Sequence, residues 1–569
     1  MVSLVKKIKA GKAYYYAVRS SRVNGKPRIT WQKYLGSVEA LVSRCQENLA
    51  PCPMETVLFE AGGVAALLGI AQQLGLIDLI NEIIPKRGQG PSVGHYIVLA
   101  AINRALDPLS KSQIGDWYHE TVLQRLWNFS SESFSSQRFW DHMDMISEDQ
   151  IKQIQDRLAE RVRQNFKIET QPLLYDSTNF FTFIDTHNTR NQIAQRGHNK
   201  QKRVDLRQIN LALLTTRDFQ IPLFHQAYRG DIPDVKSFPE IARELLQRHK
   251  AIFGGLDDAT LVFDKGNLSE ESREKLLYAK IGFVAGVKAE LIPEVFGVAI
   301  EQMQDLPAFP GTKIYEQCVE LCGKSCKAIV VYSDSFFAEQ MASLTSTMTK
   351  CQDKLKELEK SLQSWRSTDK KPENERRGRR PTMASVKARL KDILSAQHMK
   401  EVYTVSLTEI GGVPHLRYSA SSAAMNKLMT TRFGRTLLVS NRKKWLPPEI
   451  VAAYRSLEHI EEAFKHMKNR DYLRWQPAFH WTDQKLHVHT LYCVLALLLS
   501  TLARKMASDA GITISLPGLL TELSAIKEVA LLYSAGKGKV KAQFSLNKMS
   551  PRQKRLAEHF GLGEILATG

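Results

Sequence analysis

Between residues 54 and 165 the apolar positions recur every three or four residues, as in VGHYIVLAAINRAL and EDQIKQIQDRLAERV, and this spacing predicts a run of helices. From residue 172 the period shortens to two. PLLYDSTNFFTFID predicts a short apolar strand, Asp176, a polar turn and an aromatic strand, and VDLRQINLALLTTRDFQIPLFHQAYRGD predicts two more strands with a turn near Asp218. A helix follows at SFPEIARELLQRHKAI. ATLVFDKGN then repeats the grammar, an apolar strand closed by Asp264 and a Gly turn, before a helix at SEESREKLLYAK and a strand at IGFVAGVK. Strands alternating with crossover helices predict an α/β fold with a mixed, partly parallel sheet covered by helices.

The alternation breaks between 290 and 442. Met341, Leu344, Met348, Cys351, Leu355, Leu358, Leu362 and Trp365 form a heptad seam, and Met383, Val386, Leu390 and Ile393 a shorter returning one. The polar, basic STDKKPENERRGRRP between them predicts a disordered or DNA-touching tip of a helical hairpin. Strands flank the hairpin, and the earlier pattern resumes only at WLPPEIVAAYRSLEHIEEAF, so 291–442 is expected to be an insertion. The chain then divides into a basic N-terminal hairpin (1–50), a helical DNA-binding region (51–166), the first part of an α/β core (167–290), the insertion, and the rest of the core with C-terminal helices (443–569).

Charge narrows the partner. A net charge of +20 costs self-repulsion unless a polyanion offsets it, and nucleic acid comes before an anionic membrane surface. Residues 1–38 hold nine Lys or Arg and no acid, around the hairpin signal Asn24-Gly25, which favours contact with DNA. The apolar run 490–503 is shorter than the ~18–20 residues that cross a bilayer and reads as a buried helix. No membrane partner is expected. Seven cysteines and no visible export signal suit a reducing cytoplasm, here with the protein on the nucleoid. Cys318, Cys322 and Cys326 fall around a predicted turn with no fourth ligand nearby, which argues against zinc.

Candidate chemistry centres on acids. Asp176 and Asp264 each close an apolar strand, at the sheet end where α/β sites form. In AAYRSLEHIEEAFKHMKNR, at about 100° per residue, Leu457, Ile460, Phe464 and Met467 share one apolar arc; Glu461 sits at its edge, with Tyr454 and Lys468 roughly 20° to either side. Glu458 and Glu462 lie farther round. On this helix alone, pairing of Glu461 with Lys465 on a wet face competes with a catalytic role. Three carboxylates from separate elements suit two Mg²⁺ ions, with Mn²⁺ able to substitute, and such a pair supports in-line displacement at phosphorus without a side-chain nucleophile. Asp185 reads as structural, and Asp231 and Asp234 as caps of the following helix. In RNQIAQRGHNKQKRVDLR, Arg196, His198, Lys200 and Arg203 are candidate phosphate contacts.

YDSTNFF, GHNKQKRVDLRQINLAL, LVFDKGN and Tyr454-x2-Leu457-x3-Glu461-x6-Lys468 resemble bacterial insertion-sequence transposases of the DDE type, the branch with a Y-x2-R-x3-E-x6-K signature. The likeness spans roughly 170–500, and Leu457 stands where the signature has Arg. It implies an RNase H-like core interrupted by an insertion before the last acid, with Asp176, Asp264 and Glu461 as the catalytic, metal-binding trio. It also implies Tyr454 and Lys468 at the DNA end, and cut-and-paste movement by a homodimer on double-stranded DNA. A metal-dependent nuclease of the same fold, and a non-catalytic DNA-binding descendant, are the alternatives.

Overall fold

The computed structural model describes residues 2–23, 26–47, 52–85, 88–199, 201–254, 259–267, 274, 281–368, 380–534 and 540–567. The Asn24-Gly25 turn, Lys200, nearly all of the expected helix 269–280 and the tip 369–379 lie outside them.

The chain begins with a three-stranded antiparallel sheet rather than a two-stranded hairpin: β1 (Val2–Lys9), β2 (Lys12–Val23) and β3 (Lys26–Gly36). β4 (Glu55–Glu60) leads into the expected helices, among them Val93–Leu106 and Glu148–Asn165, each opened by a serine capping box. These helices share one apolar core with the C-terminal helices, wrapped around Asp483–Asp509. That helix has 27 residues, longer than its apolar run suggested and long enough to span a bilayer, yet 94% of its most apolar window is buried inside the protein.

The central sheet starts with β5 (Leu173–Thr182), β6 (Arg207–Thr216) and β7 (Pro222–Arg229), all antiparallel, and adds β8 (Thr260–Phe263) and β9 (Gly282–Val287) in parallel to β5. Its order β7-β6-β5-β8-β9 is the RNase H-like arrangement. The polar turn expected after Asp176 is absent. β5 runs through Asp176 to Thr182 because every residue of it pairs with β6, and that ladder outweighs the turn propensity of Asp-Ser-Thr-Asn.

The insertion supplies β10 (Gln304–Asp305), β11 (Thr312–Leu321), β12 (Lys324–Ser333), the hairpin β13 (Tyr403–Ile410) and β14 (Val413–Ala420), and β15 (Arg435–Ser440). Four of these extend the central sheet to nine strands, in the order β10-β11-β12-β15-β9 beyond the core. The β11–β12 turn is Cys322-Gly323, both at positive φ; Cys318 and Cys322 are exposed and Cys326 is buried. The helical hairpin, Asp334–Thr368 and Met383–Ile393, closes on β13–β14 around Leu344, Leu355, Leu358, Leu362, Val386 and Leu390. Farther along, β16 (Lys527–Ser534) pairs with β17 (Val540–Leu546) and with β4, tying the start of the helical region to the last part of the chain.

Because the hairpin core is separate from the two that cover the sheet, Leu355→Ala, which empties a fully buried site, is expected to cost about 2–5 kcal/mol locally. Hydrogen exchange should quicken in 334–368 and 413–420 while β5, β6 and β8 keep their protection.

Candidate active site: a carboxylate cleft

The two-residue period of the strands decides which face carries the acids. Leu174 and Val262 belong to the core beneath the C-terminal helices, whereas Leu173, Tyr175, Leu261 and Phe263 belong to the opposite core. Leu173 pairs with Leu261 and Leu174 with Val262, so continuing this register puts Asp176 level with Asp264 on neighbouring parallel strands. Strand alternation turns both toward the face on which the helix Leu457–Met467 packs. The β5–β8 ladder stops before the acids, which lie where the two strands separate.

The third acid comes from that helix. Ile460, Phe464 and Met467 bury themselves against the sheet, leaving Glu461 at the border and exposed to the cleft. Residues 452–470 are not one helix. A break at Ser456 separates Pro447–Arg455 from Leu457–Met467, and the Ser456 hydroxyl donates back to the Ala453 carbonyl, a bond of the kind that bends helices. Tyr454 and Glu461 therefore reach the cleft from different helices.

Asp176, Asp264 and Glu461 line one cleft of ≈ 1140 Å³, larger than the ~300–1,000 Å³ of an ordinary small-molecule site. Glu458 lines it too. Glu461, however, is the glutamate whose field reaches Asp176 and Tyr454, while Glu462 turns away to within 3.7 Å of His466. Burial, and after it the charges of Asp234, Glu461 and Asp264, push the Asp176 carboxyl up to about 7, against a Ser177 backbone N–H that pulls it down.

Asp234 is the acid that the sequence reading misplaced. It opens the helix Asp234–Phe253 without capping it; the N-cap is Pro233, and Asp234 accepts a hydrogen bond from the Tyr228 hydroxyl at 2.6 Å while lining the cleft. The motif Pro-Asp before a helix reads equally well as a cap, so only the folded position separates the two. Asp231 does not cap either and pairs with Arg229 at 2.8 Å. Asp185 accepts the His187 backbone N–H in a local turn, as a structural residue does.

Tyr454 donates to Asp264 Oδ1 at 2.9 Å, and burial followed by the Asp264 charge drives its phenol far up. It lies across β9 at Gly286, where a Cβ would sit 2.4 Å from the hydroxyl oxygen, so the contact depends on a missing side chain. Lys468 bonds the Thr178 hydroxyl on β5 and lies 5.3 Å from the Phe180 ring centre. Leu457 is buried, and neighbouring Arg455 donates to the Thr312 hydroxyl over the Phe309 ring.

Over its described residues the basic segment after β5 is a loop, held by buried Asn188, Asn191 and Asn199 and one bridge from Gln195 to Gln208. His198 lines the cleft and is exposed, as is Arg196, which donates to Thr186. Arg203 is held in a bidentate pair with Asp205.

The acids facing the cleft, Asp176, Asp264, Glu461 and Asp234, offer oxygen ligands, the chemistry Mg²⁺ requires. Among the described residues no three His, Cys, Asp or Glu side chains converge closely enough to hold one ion by themselves. That still fits Mg²⁺, which takes one or two carboxylates and completes its shell with water and substrate phosphate.

No protein-family model and no characterised protein sequence matches the chain. Among solved structures it is similar to a piggyBac transposase in a synaptic complex with hairpin DNA, at 10% identity and a TM-score of 0.36, over 81% of this chain and 78% of that one. So loose a likeness carries no weight for function; the carboxylate geometry does.

A raised carboxyl pKa means that, between about pH 4 and 7, the folded metal-free protein holds a proton the unfolded chain has released, so stability falls as pH rises through that window. In EDTA, wild type should lose about 2 kcal/mol relative to Asp176→Asn between pH 4.5 and 7.5; a shift of three units would give about 4, reduced because the carboxyl opens to the cleft. Parallel urea denaturation curves for the two proteins would refute it.

Proposed function

We propose that the cleft is the active site of a metal-dependent phosphodiester-cleaving enzyme acting on double-stranded DNA. More particularly, the protein is a DDE transposase that cleaves at the ends of a mobile element and joins the freed 3′-OH to target DNA. The observation that carries this is that Asp176 on β5, Asp264 directly after the neighbouring parallel strand β8, and Glu461 on the helix Leu457–Met467 line one cleft, near enough for the charges of the last two to act on the first. The net charge of +20 and the size of the cleft favour a polyanion over a small substrate.

Asp176, Asp264 and Glu461 would hold the Mg²⁺ ions, and bound Mg²⁺ would stabilise charge on the attacking and leaving oxygens of an in-line displacement. Tyr454 orients Asp264 through its hydrogen bond. Lys468, fixed on β5 through Thr178, places a positive charge beside the path of the phosphate backbone. Arg196 and His198 belong to a loop that would track the same backbone, Lys200 is proposed as a further phosphate contact on its charge alone, and Arg203 joins them only if it leaves Asp205. Pairing of two copies across two DNA ends, cut-and-paste movement and a place on the bacterial nucleoid in the cytoplasm complete the proposal.

Asp264→Asn and Glu461→Gln should each lower cleavage of a labelled end by at least ~10³-fold while changing end affinity little, because what is lost is metal ligation. Equal loss of binding would make the acids structural. Cleavage without joined product on a target plasmid would leave a nuclease. Gly286→Ala, which unseats Tyr454 and touches no acid, should slow cleavage about 10- to 100-fold, the scale of a small misplacement in a catalytic cluster. DNA affinity should fall steeply between 50 and 200 mM salt, as counterion release demands.

A further inference from the structure

Three large aromatic side chains stand in water on one patch beyond the end of β5. Phe183 is 44% exposed, Phe479 52% and Trp481 55%, with the Phe183 and Phe479 rings 5.8 Å apart. Fixed aromatics grouped on a surface are uncommon without a partner. These are fixed. Residues 475–481 form a strap anchored by three buried members: Trp475 stacks on Phe180 at 4.9 Å, the Ala478 carbonyl accepts the Phe183 backbone N–H at 2.9 Å, and His480 lies 2.8 Å from His489. The Trp481 carbonyl accepts from Asn188, and Asp483 accepts the backbone N–H groups of Gln192 and Ile193 at 2.7 and 3.0 Å. Burying Ala478 and His480 forces Phe479 and Trp481 outward, and the same bonds tie the strap to the basic loop.

The surroundings identify the partner. Residues 183–207 and 468–485 together carry ten Lys or Arg and four Asp. Asp205 and Arg203 pair with each other, Lys485 pairs with Asp144 and Asp483 is spent on backbone N–H groups, which still leaves eight Lys or Arg against two Asp. A cationic rim around flat rings suits a polyanion with unstacked π-faces, which is single-stranded DNA, better than it suits a protein surface. The same strand connects the patch to the cleft: Phe183 directly follows β5, seven residues on from Asp176, or about 23 Å at ~3.3 Å per residue, and Lys468 is held to the strand between them at Thr178.

We infer that Phe183, Phe479 and Trp481 form a stacking platform for unpaired bases of the DNA strand that leaves the carboxylate cleft. The inference rests on the proposal that the cleft handles DNA, and its test needs no catalysis. In EDTA, the full chain is titrated into a labelled oligo-dT of about 20 nucleotides and into a blunt duplex of equal length, both followed by anisotropy. Phe479→Ala with Trp481→Ala should weaken the single strand about 10- to 100-fold and the duplex less than about 3-fold, and Trp481→Phe should restore most of the loss, since stacking needs a π-face and not an indole. Circular dichroism and thermal melting verify that the variants fold.

Single-strand affinity unchanged in the double variant, or no recovery with Phe, overturns the platform. So does a change in self-association by sedimentation with DNA affinity intact, which would assign the patch to a second copy. Metal-dependent cleavage of an element end judges the enzyme reading separately, so that reading survives a failed platform, and oligo-dT binding with the predicted pattern survives a failure to cleave.

Discussion

The parallel pairing of β5 with β8 is the constraint on which the site depends. Two residue pairs, Leu173 with Leu261 and Leu174 with Val262, fix the register, and the next acidic residue on each strand then falls at the same height on the same face. A slip of one residue would send one aspartate into the opposite core and dissolve the cluster. The register is held by burial on both sides, since Leu174 and Val262 face one core and Leu173, Leu261 and Phe263 the other. The β5–β8 pairing stops at these residues, so the two aspartates lie where that ladder has ended and a cleft can open.

Gathering acids there is unfavourable in itself. The Asp176 carboxyl is pushed up first by burial and then by the charges of Asp234, Glu461 and Asp264. Two phenols moderate the cost by donating to carboxylates, Tyr454 to Asp264 and Tyr228 to Asp234. Neither neutralises charge, so the cluster remains a place where a cation would relieve repulsion. The insertion contributes to the walls, because β12 and β15 continue the sheet beside β9 and Val331, Thr436 and Leu438 line the cleft.

Much of this was legible in the sequence, for a definite reason. Strand and helix periods reveal elements directly, so β6, β7, β8, β9 and the seams of the helical hairpin follow from apolar spacing, and Asp264 is visible as the residue that ends a four-residue apolar strand. What stayed hidden depends on contacts distant in the chain. Asp176 sits inside a strand although Asp-Ser-Thr-Asn spells a turn, because β6 pairs through it. Asp234 looks like a cap until Tyr228 is seen to hold it. The helical wheel put Tyr454 and Lys468 on one stripe with Glu461, but it could not show the break at Ser456 or that Tyr454 would find Gly286 beneath it. The nine strands of the full sheet were equally out of reach, since nothing in the local pattern of 291–442 says which edge its strands will join.

The openness of the cluster has a consequence for how an ion and DNA would arrive. Under the proposed function, a site whose carboxylates do not converge on one point leaves several coordination positions to water and phosphate. Affinity for the ion would then be low while the cleft is empty and would rise once phosphate oxygens are present. Each ligand lowers the cost of binding the other, as linkage requires when one supplies the charge that the other lacks. A tighter cage of acids would hold the ion without DNA and forfeit that coupling. The half-assembled geometry therefore suits an enzyme whose metal should act only when a phosphodiester is in place.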